Sequence, residues 1–344
     1  LLVLRDVLTQ SLLLGSYSII ASWLFLHPRS YQIALRSVSL LTALTYALAI
    51  LHKLNADFFF DQSSCAVHGF EISVSLIPQG FLTEHIHLLI TFLRGKPHIA
   101  ATIVIAFEFS LCLLCLRRSP WVWLIGAIFH IPLTLTIAPA FGSVMAVGWG
   151  AGALFNLSRS RHRLVSDHSR QRVVLKPIGD RKSDIRSSAF PMMVVICYGV
   201  HGALSPYIGL EVQHSAAMLS NLRVDPKCSN SFVFPPLADD PYLYINDMEF
   251  GVIKSARLER RRERVLQGLW SLSALSTMQK NWCIPEQRPL RLSGEYRGEM
   301  FVISDLCDEG SLDSLYENSP SPRLEGWQRF QKNLGRECHQ ACVH

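Results

Sequence analysis

Charged side chains are scarce in this 344-residue chain, at 17%, where soluble domains carry about 25%. The shortage is local. Residues 1–155 hold eight basic and six acidic side chains, whereas residues 156–344 hold 25 and 21. The first part is too apolar for an ordinary water-soluble domain; the second is not. No internal repeat or heptad period runs through the sequence, which excludes solenoids and coiled coils. An apolar content of 49% excludes a disordered chain. HExxH and clustered histidine boxes are missing, and Cys112-x-x-Cys115 has no second pair nearby, so no metal centre is expected. His85 and His87 are two residues apart and do not share a helix face; with His68, His98 and His201 they read as interfacial or packing residues.

What the first part does have is long apolar runs. A spanning helix needs about 20 mostly apolar residues, and six segments approach that length: 8–26, 33–51, 98–116, 120–138, 140–156 and 189–209. Arg5 and Asp6 precede the first, and no small-residue cleavage site follows, so it reads as a span rather than a signal peptide. The run 86–93 is too short to cross and fits a re-entrant or interfacial helix. Pro132 and Pro139 punctuate 120–156, which suits a tight helical hairpin.

The net charge of +6 has one source. The stretch 157–188 carries nine basic residues against three Asp, a net +6, while the remainder cancels. Lys and Arg in short loops mark the cytoplasmic side. With six spans, this basic loop, Arg29 with Arg36, and Arg117 with Arg118 share that side. Residues 52–97 and everything after 209 then fall on the exoplasmic face. No aromatic side chain interleaves the basic loop, so no nucleic acid partner is expected; anionic membrane lipid suits it better. The sequon Asn156-Leu157-Ser158 lies at the cytoplasmic end of a span and is expected to stay unmodified.

The fold expected is therefore mainly α: a polytopic transmembrane helical domain over 1–209, followed by a small exoplasmic α+β domain over 210–344. In the latter, 242–253 and 299–306 look like strands, 255–280 like one helix, and 308–324 like a loop. Cys112, Cys115 and Cys197 fall inside spans. Cys65, Cys228, Cys283, Cys307, Cys338 and Cys342 all fall on the exoplasmic side, where disulfides form; six cysteines allow 15 pairings.

Candidate chemistry concentrates beside the second span, in HKLNADFFFDQSSC over 52–65. Lys53, Asn55 and Asp57 follow the apolar run directly, and Phe58, Phe59 and Phe60 hold the segment near the interface. A lysine short of solvent can serve as a neutral amine base; equally, its ammonium can snorkel to the headgroups and anchor the helix end. Glu108 and His130 lie within spans, where ionisable residues are costly. They either line a substrate cavity or proton relay, or form a buried polar pair that fixes helix packing. A Glu108–His130 or Glu108–Lys53 contact is plausible. After the last span, Pro206 and Gly209 close the helix, and an amphipathic stretch carries Asn221 and Arg223.

Two of these segments together, HKLNADFFFDQSSCA (52–66) and SPYIGLEVQHSAAMLSNLRV (205–224), resemble the proteins with a horizontally transferred transmembrane (HTTM) domain, a domain shared with vitamin K-dependent γ-glutamyl carboxylase. The family pattern is Lys-Leu-Asn/Asp-x-Asp at a helix end, then Pro-Tyr-hydrophobic-Gly leading into Ser-x-x-Met-x-Ser-Asn-Leu-Arg. The helix with Glu108 and the pair Phe129-His130 also fit it. The resemblance covers about residues 30–230 and implies a helical membrane fold. It further implies that Lys53 is the base that deprotonates vitamin K hydroquinone or another quinol. Oxygenation of the quinol anion then yields a strong base for the glutamate γ-proton of a protein substrate, and the carbanion adds CO2. Asn55, Asp57, Glu108 and His130 become candidates for holding the quinol. Asn55 stands where the carboxylases have Asp, and no Asn-His dipeptide occurs upstream of Lys53. The alternative is a non-catalytic membrane protein that binds lipid or a partner through its cavity and exoplasmic domain. A transporter is a third reading, resting only on Glu108 and His130.

Overall fold

The computed structural model describes residues 11–27, 30–75, 83–136, 141–169, 181–208, 220–237, 240, 242–251, 256–283, 290–319, 335–338 and 342, with backbone alone over 159–169 and 181–188. The chain folds as two compact units. One comprises Leu1–Leu51 and Ala66–Ala203, the other His52–Cys65 and Leu204–His344. The candidate segment around Lys53 thus belongs to the second unit, together with everything after Leu204.

The described elements of the first unit are helices: α1 (Ser11–Leu26), α2 (Tyr31–Lys53, whose last two residues enter the second unit), α4 (Cys65–Ser75), α5 (Thr83–Gly95), α6 (Pro97–Arg117), α7 (Trp121–Thr136), α8 (Phe141–Ser169) and α9 (Arg181–Leu204). The intervening α3 (Ala56–Phe60) lies in the second unit. Among the described residues, three stretches are long and apolar enough to cross a membrane: α2, α6, and Ala189–Tyr207, which runs from α9 just past its end. Leu12–Leu26, Cys65–Val74 and Trp121–Pro132 are apolar but shorter. Pro97 opens α6 at a position where its missing N–H costs nothing.

Several expectations change here. Residues 157–169 and 181–188 are helical continuations of α8 and α9 and not loop, because the basic residues extend each helix beyond its apolar part. Residues 170–180 lie outside the described residues. Pro132 sits inside α7 without ending it, while Pro139 lies outside the described residues. Helices α7 and α8 pack together, and a side chain on Gly126 or Gly142 would run into Trp149 or Thr134. Such small residues let helix backbones approach closely where hydrophobicity alone gives no preference. Hydroxyl bonds tie further helices: Tyr17 Oη to Thr42 Oγ1 at 2.7 Å, Thr45 Oγ1 to Tyr198 Oη at 3.0 Å, and Ser39 Oγ donating to the Cys115 carbonyl at 3.0 Å.

In the second unit, a three-stranded antiparallel sheet runs in the order β1 (Leu243–Phe250), β2 (Leu290–Tyr296), β3 (Glu299–Ile303). Leu243, Ile245 and Met248 face its core, so the alternation slips by one residue; a register shift between Ile245 and Asp247 absorbs the extra polar residue. β2 was not expected from the sequence, since its polar residues and Gly294 mask the alternation of Leu290, Leu292 and Tyr296. The helix expected over 255–280 is two, α10 (Ala256–Gln267) and α11 (Leu272–Trp282). Between them Trp270 exchanges backbone hydrogen bonds with Leu243 at 2.6 and 3.1 Å, and Ser271 caps α11 by accepting from Ala274 N–H at 3.2 Å. Val265, Leu272, Leu275 and Met278 join the strands in one core, closed by Leu306, Leu312 and Leu315. The last belongs to α12 (Asp313–Glu317), a helical turn within the expected loop; 320–324 lie outside the described residues.

Six cysteines form three disulfides: Cys65–Cys342, Cys228–Cys338 and Cys283–Cys307. Cys112, Cys115 and Cys197 are free thiols.

Candidate functional site

The site is built where α2 ends. Its last residues, His52 and Lys53, carry the chain into the second unit. Asn55 then turns it into α3: its Oδ1 accepts the Phe58 N–H at 2.9 Å, a helix N-cap, while its Nδ2 donates to the carbonyls of His52 at 2.8 Å and Ser220 at 2.5 Å. One buried side chain therefore closes α2, opens α3 and attaches both to the 220–224 segment.

That second segment is held as firmly. Asn221 adopts a left-handed backbone (φ 56°), which asparagine tolerates better than most residues. Its Oδ1 accepts the Cys65 N–H at 2.7 Å. Asn230 joins the parts: its Nδ2 donates to Asp57 Oδ2 at 2.8 Å and to the Asn221 carbonyl at 2.7 Å, and its Oδ1 accepts the Arg223 N–H at 2.8 Å. Backbone bonds from Ala56 to the Asn230 carbonyl and from Phe232 to the Leu54 carbonyl, both 2.9 Å, complete the clasp.

Arg223 is the pivot. Its guanidinium is buried and pairs with Asp225 through two bonds of 2.9 and 3.0 Å. It also donates to the Gly335 carbonyl at 2.8 Å and to that of Glu337. The end of the chain is thus fastened over the same segments. Cys338 and Cys342 add disulfides to Cys228 and Cys65, and Cys342 N–H donates to the Ser63 carbonyl at 3.2 Å.

Within this frame Lys53 is buried, at 5% exposure. Its Nζ lies 5.9 Å from the centre of the Phe58 ring, a cation–π distance. Neighbouring His52 is fully buried and has Nδ1 3.4 Å from Tyr207 Oη, and the Tyr207 ring stacks on Phe234 at 3.8 Å. No family model, curated protein or solved structure matches this chain. The chemistry must therefore be argued from these side chains themselves.

Lys53, Asn55 and Asp57 share the second unit with Asn221 and Arg223, so the two segments singled out in the sequence meet there. Gly209 and residues 215–219 of the second segment lie outside the described residues. Asn55 and Asp57 are bound into the frame. Arg223 joins the 220s to Gly335 and Glu337. Glu108 and His130 belong to the first unit, where both are buried. The Tyr46 hydroxyl lies 2.8 Å from His130 Nε2. The His130 ring also packs near Trp149, with centroids 5.6 Å apart. Among the described residues no group of three or more His, Cys, Asp or Glu side chains is placed to hold a metal. His68 is 3.5 Å from Glu71, which also receives a 2.5 Å hydrogen bond from Arg94. The sequon residue Asn156 donates its side-chain amide to the Arg118 carbonyl.

Sequence reasoning missed Asn230, Asp225, Tyr46 and the attachment of residues 335–338. Asn230 lies in CSNSF, a string with no motif value. The surplus of cysteines beyond residue 337 was the available signal for the chain end.

A second polar group lies on the sheet. Tyr244 donates its hydroxyl to Asp240 at 2.7 Å and carries the Lys227 ammonium 3.8 Å above its ring. Burial raises the Asp240 carboxyl above its ordinary value and, with the Asp240 hydrogen bond and the nearby Asp240 and Asp225 charges, raises the Tyr244 phenol well above its own.

Proposed function

We propose that this chain is an integral membrane enzyme that uses the Lys53 amine as a base toward a quinol-type lipid, with carboxylase-like chemistry. The observation that carries the reading is the burial of Lys53 beside an aromatic ring, at the end of a helix apolar enough to span. A general base needs a positioned group, shielded from bulk water, that can accept a proton and return it. An ammonium serving only as an anchor would instead extend toward water or headgroups.

The residues fit a quinol headgroup in kind: the Lys53 amine can take the hydroxyl proton, and the buried Phe58 ring beside it gives an apolar wall. When bound, a quinol supplies the oxygen-dependent chemistry that no side chain provides. Lys53 takes and holds the proton at Nζ. Asn55 and Asp57 fix the turn that presents Lys53, through their bonds to Ser220 and Asn230. Phe58, buried, excludes water on that side.

The reading includes six spans, with 157–188 cytoplasmic and the second unit exoplasmic. The disulfides support that sidedness. Every cysteine assigned to the exoplasmic face is paired, and the three within helices long enough to span are free. The test is quinol-dependent incorporation of labelled CO2 into a glutamate-containing peptide by the full chain in proteoliposomes. Lys53→Ala should lower it by about 10²–10⁴-fold.

A second reading, a non-catalytic protein binding lipid or a partner, is favoured by one observation: Asn55 and Asp57 spend their hydrogen bonds on the fold. It predicts that Lys53→Ala changes stability and no turnover.

A further inference from the structure

The second unit carries a raised apolar surface made from two separate parts of the chain. Phe60 is 65% exposed, Phe232 57% and Val233 45%, and Pro235 and Pro236 beside them are exposed as well. Phe59 links the two parts: its ring centre is 6.1 Å from those of both Phe60 and Phe232, which are 6.4 Å from each other.

The surface is held in place rather than loosely displayed. Asn55 and Ser231 form a β-bridge, Phe232 N–H bonds the Leu54 carbonyl, and Asn230 bonds Asp57. Ser231 Oγ accepts from the Val233 and Phe234 N–H groups at 3.3 Å each, which turns the loop outward. Phe234 is tucked back onto Tyr207. Folding has thus left Phe60, Phe232 and Val233 exposed together with Pro235 and Pro236, a cost in water that a partner or a lipid phase recovers.

The chain itself indicates which. Two of the three helices able to span, α2 and Ala189–Tyr207, run into the second unit at His52 and at Leu204. Phe60 follows the end of α2 by seven residues, and Tyr207, the last residue of the other span, stacks on Phe234 of the exposed loop. The run 228–238, Cys-Ser-Asn-Ser-Phe-Val-Phe-Pro-Pro-Leu-Ala, contains no charged residue. Tyrosine, as at Tyr207, concentrates at the membrane–water boundary, and phenylalanine serves on the apolar faces that elements lying in that boundary bury.

We propose that Phe60, Phe232, Val233, Pro235 and Pro236 form a wedge that inserts into the lipid interface and seats the second unit on the bilayer. The occupant is the upper acyl region of the membrane, and the wedge acts whether or not Lys53 is catalytic.

The test uses the full chain in phosphatidylcholine vesicles. Phe232→Trp and Phe60→Trp are made separately, and the fluorescence of the unsubstituted protein, with its seven tryptophans, is subtracted. An interfacial wedge reaches about 5–10 Å into the headgroup and acyl boundary. Both added signals should therefore be quenched by lipids brominated high on the acyl chain, less by lipids brominated near its end, and little by aqueous iodide. Met300→Trp, on the exposed β3, is the solvent control and should respond to iodide. Quenching of the Phe232→Trp and Phe60→Trp signals by iodide alone would overturn the proposal, because the surface then faces water. Insensitivity to both quenchers would overturn it too, because a protein, such as a second copy of the chain, then covers the surface. Lys53→Ala should leave the quenching unchanged.

Discussion

Arg223 offers the sharpest test of how the candidate site is held. Its guanidinium and the Asp225 carboxylate are both fully buried and joined by two hydrogen bonds, and the same side chain binds the carbonyls of Gly335 and Glu337. Replacing it by methionine keeps the volume. It leaves Asp225 as a buried charge without its cation and strips two carbonyls of a donor. Removing one member of a buried ion pair costs about 3–5 kcal/mol, most of it from the uncompensated partner. For a unit of about 150 residues, each kcal/mol lowers the unfolding temperature by roughly 2–4 °C, so Arg223→Met should lower it by roughly 6–20 °C. Scanning fluorimetry of the full chain in detergent, at one fixed scan rate, reads this shift. The double variant Arg223→Met with Asp225→Leu removes both charges and should be more stable than Arg223→Met alone. A shift of less than about 2 °C for Arg223→Met would refute the reasoning, for which the scale is one kcal/mol. So would a double variant no better than the single.

Three further outcomes follow from local geometry. The β2–β3 hairpin turns on Arg297 and Gly298, both at positive φ (55° and 84°), with Tyr296 facing Glu299; Arg297→Asn supplies the residue such a turn favours and should stabilise the second unit by about 0.5–1 kcal/mol, read by chemical denaturation. A side chain at Gly148 would overlap Thr42 on α2, so Gly148→Leu should separate these helices and lower the unfolding temperature, the usual overpacking cost being about 1–3 kcal/mol. Asp240, whose folded carboxyl titrates above its unfolded value, favours the folded state at low pH and loses that contribution as pH rises through its folded value; Asp240→Asn should flatten this decline in a stability profile taken across the carboxylate range.

How far the sequence led depends on what kind of signal each part carried. The helices of α2, α6 and α9 were legible because about 20 apolar residues in a row have few other uses. Their extensions through 157–169 and 181–188 were not, since helix formation continues through charged residues once an apolar segment has nucleated it. β2 escaped because Gly294 and Ser293 interrupt the apolar pattern, and the break at 268–271 escaped because α10 and α11 have compatible periodicity. At the site, Lys53, Asn55 and Asp57 were found by their density beside a span. Their division of labour was not visible. Only the fold shows that Asn55 and Asp57 are committed to Ser220 and Asn230, more than 160 residues away. The disulfide pairing was open among 15 alternatives, and Cys65–Cys342, spanning 277 residues, could not have been read from spacing.

The central claim, that Lys53 is a base, is tested most directly by replacing it with arginine as well as alanine. Arginine keeps a cation at the end of α2 but does not release its proton under ordinary conditions. Quinol-dependent CO2 incorporation is measured for the full chain in proteoliposomes, with intact folding of each variant checked by its unfolding temperature. The unsubstituted protein should turn over, and both Lys53→Ala and Lys53→Arg should lose activity by about 10²–10⁴-fold, the range a general base contributes. Activity retained in Lys53→Arg would contradict the claim, because Lys53 would then act through its charge; a folded, unsubstituted protein that incorporates no CO2 would contradict it as well.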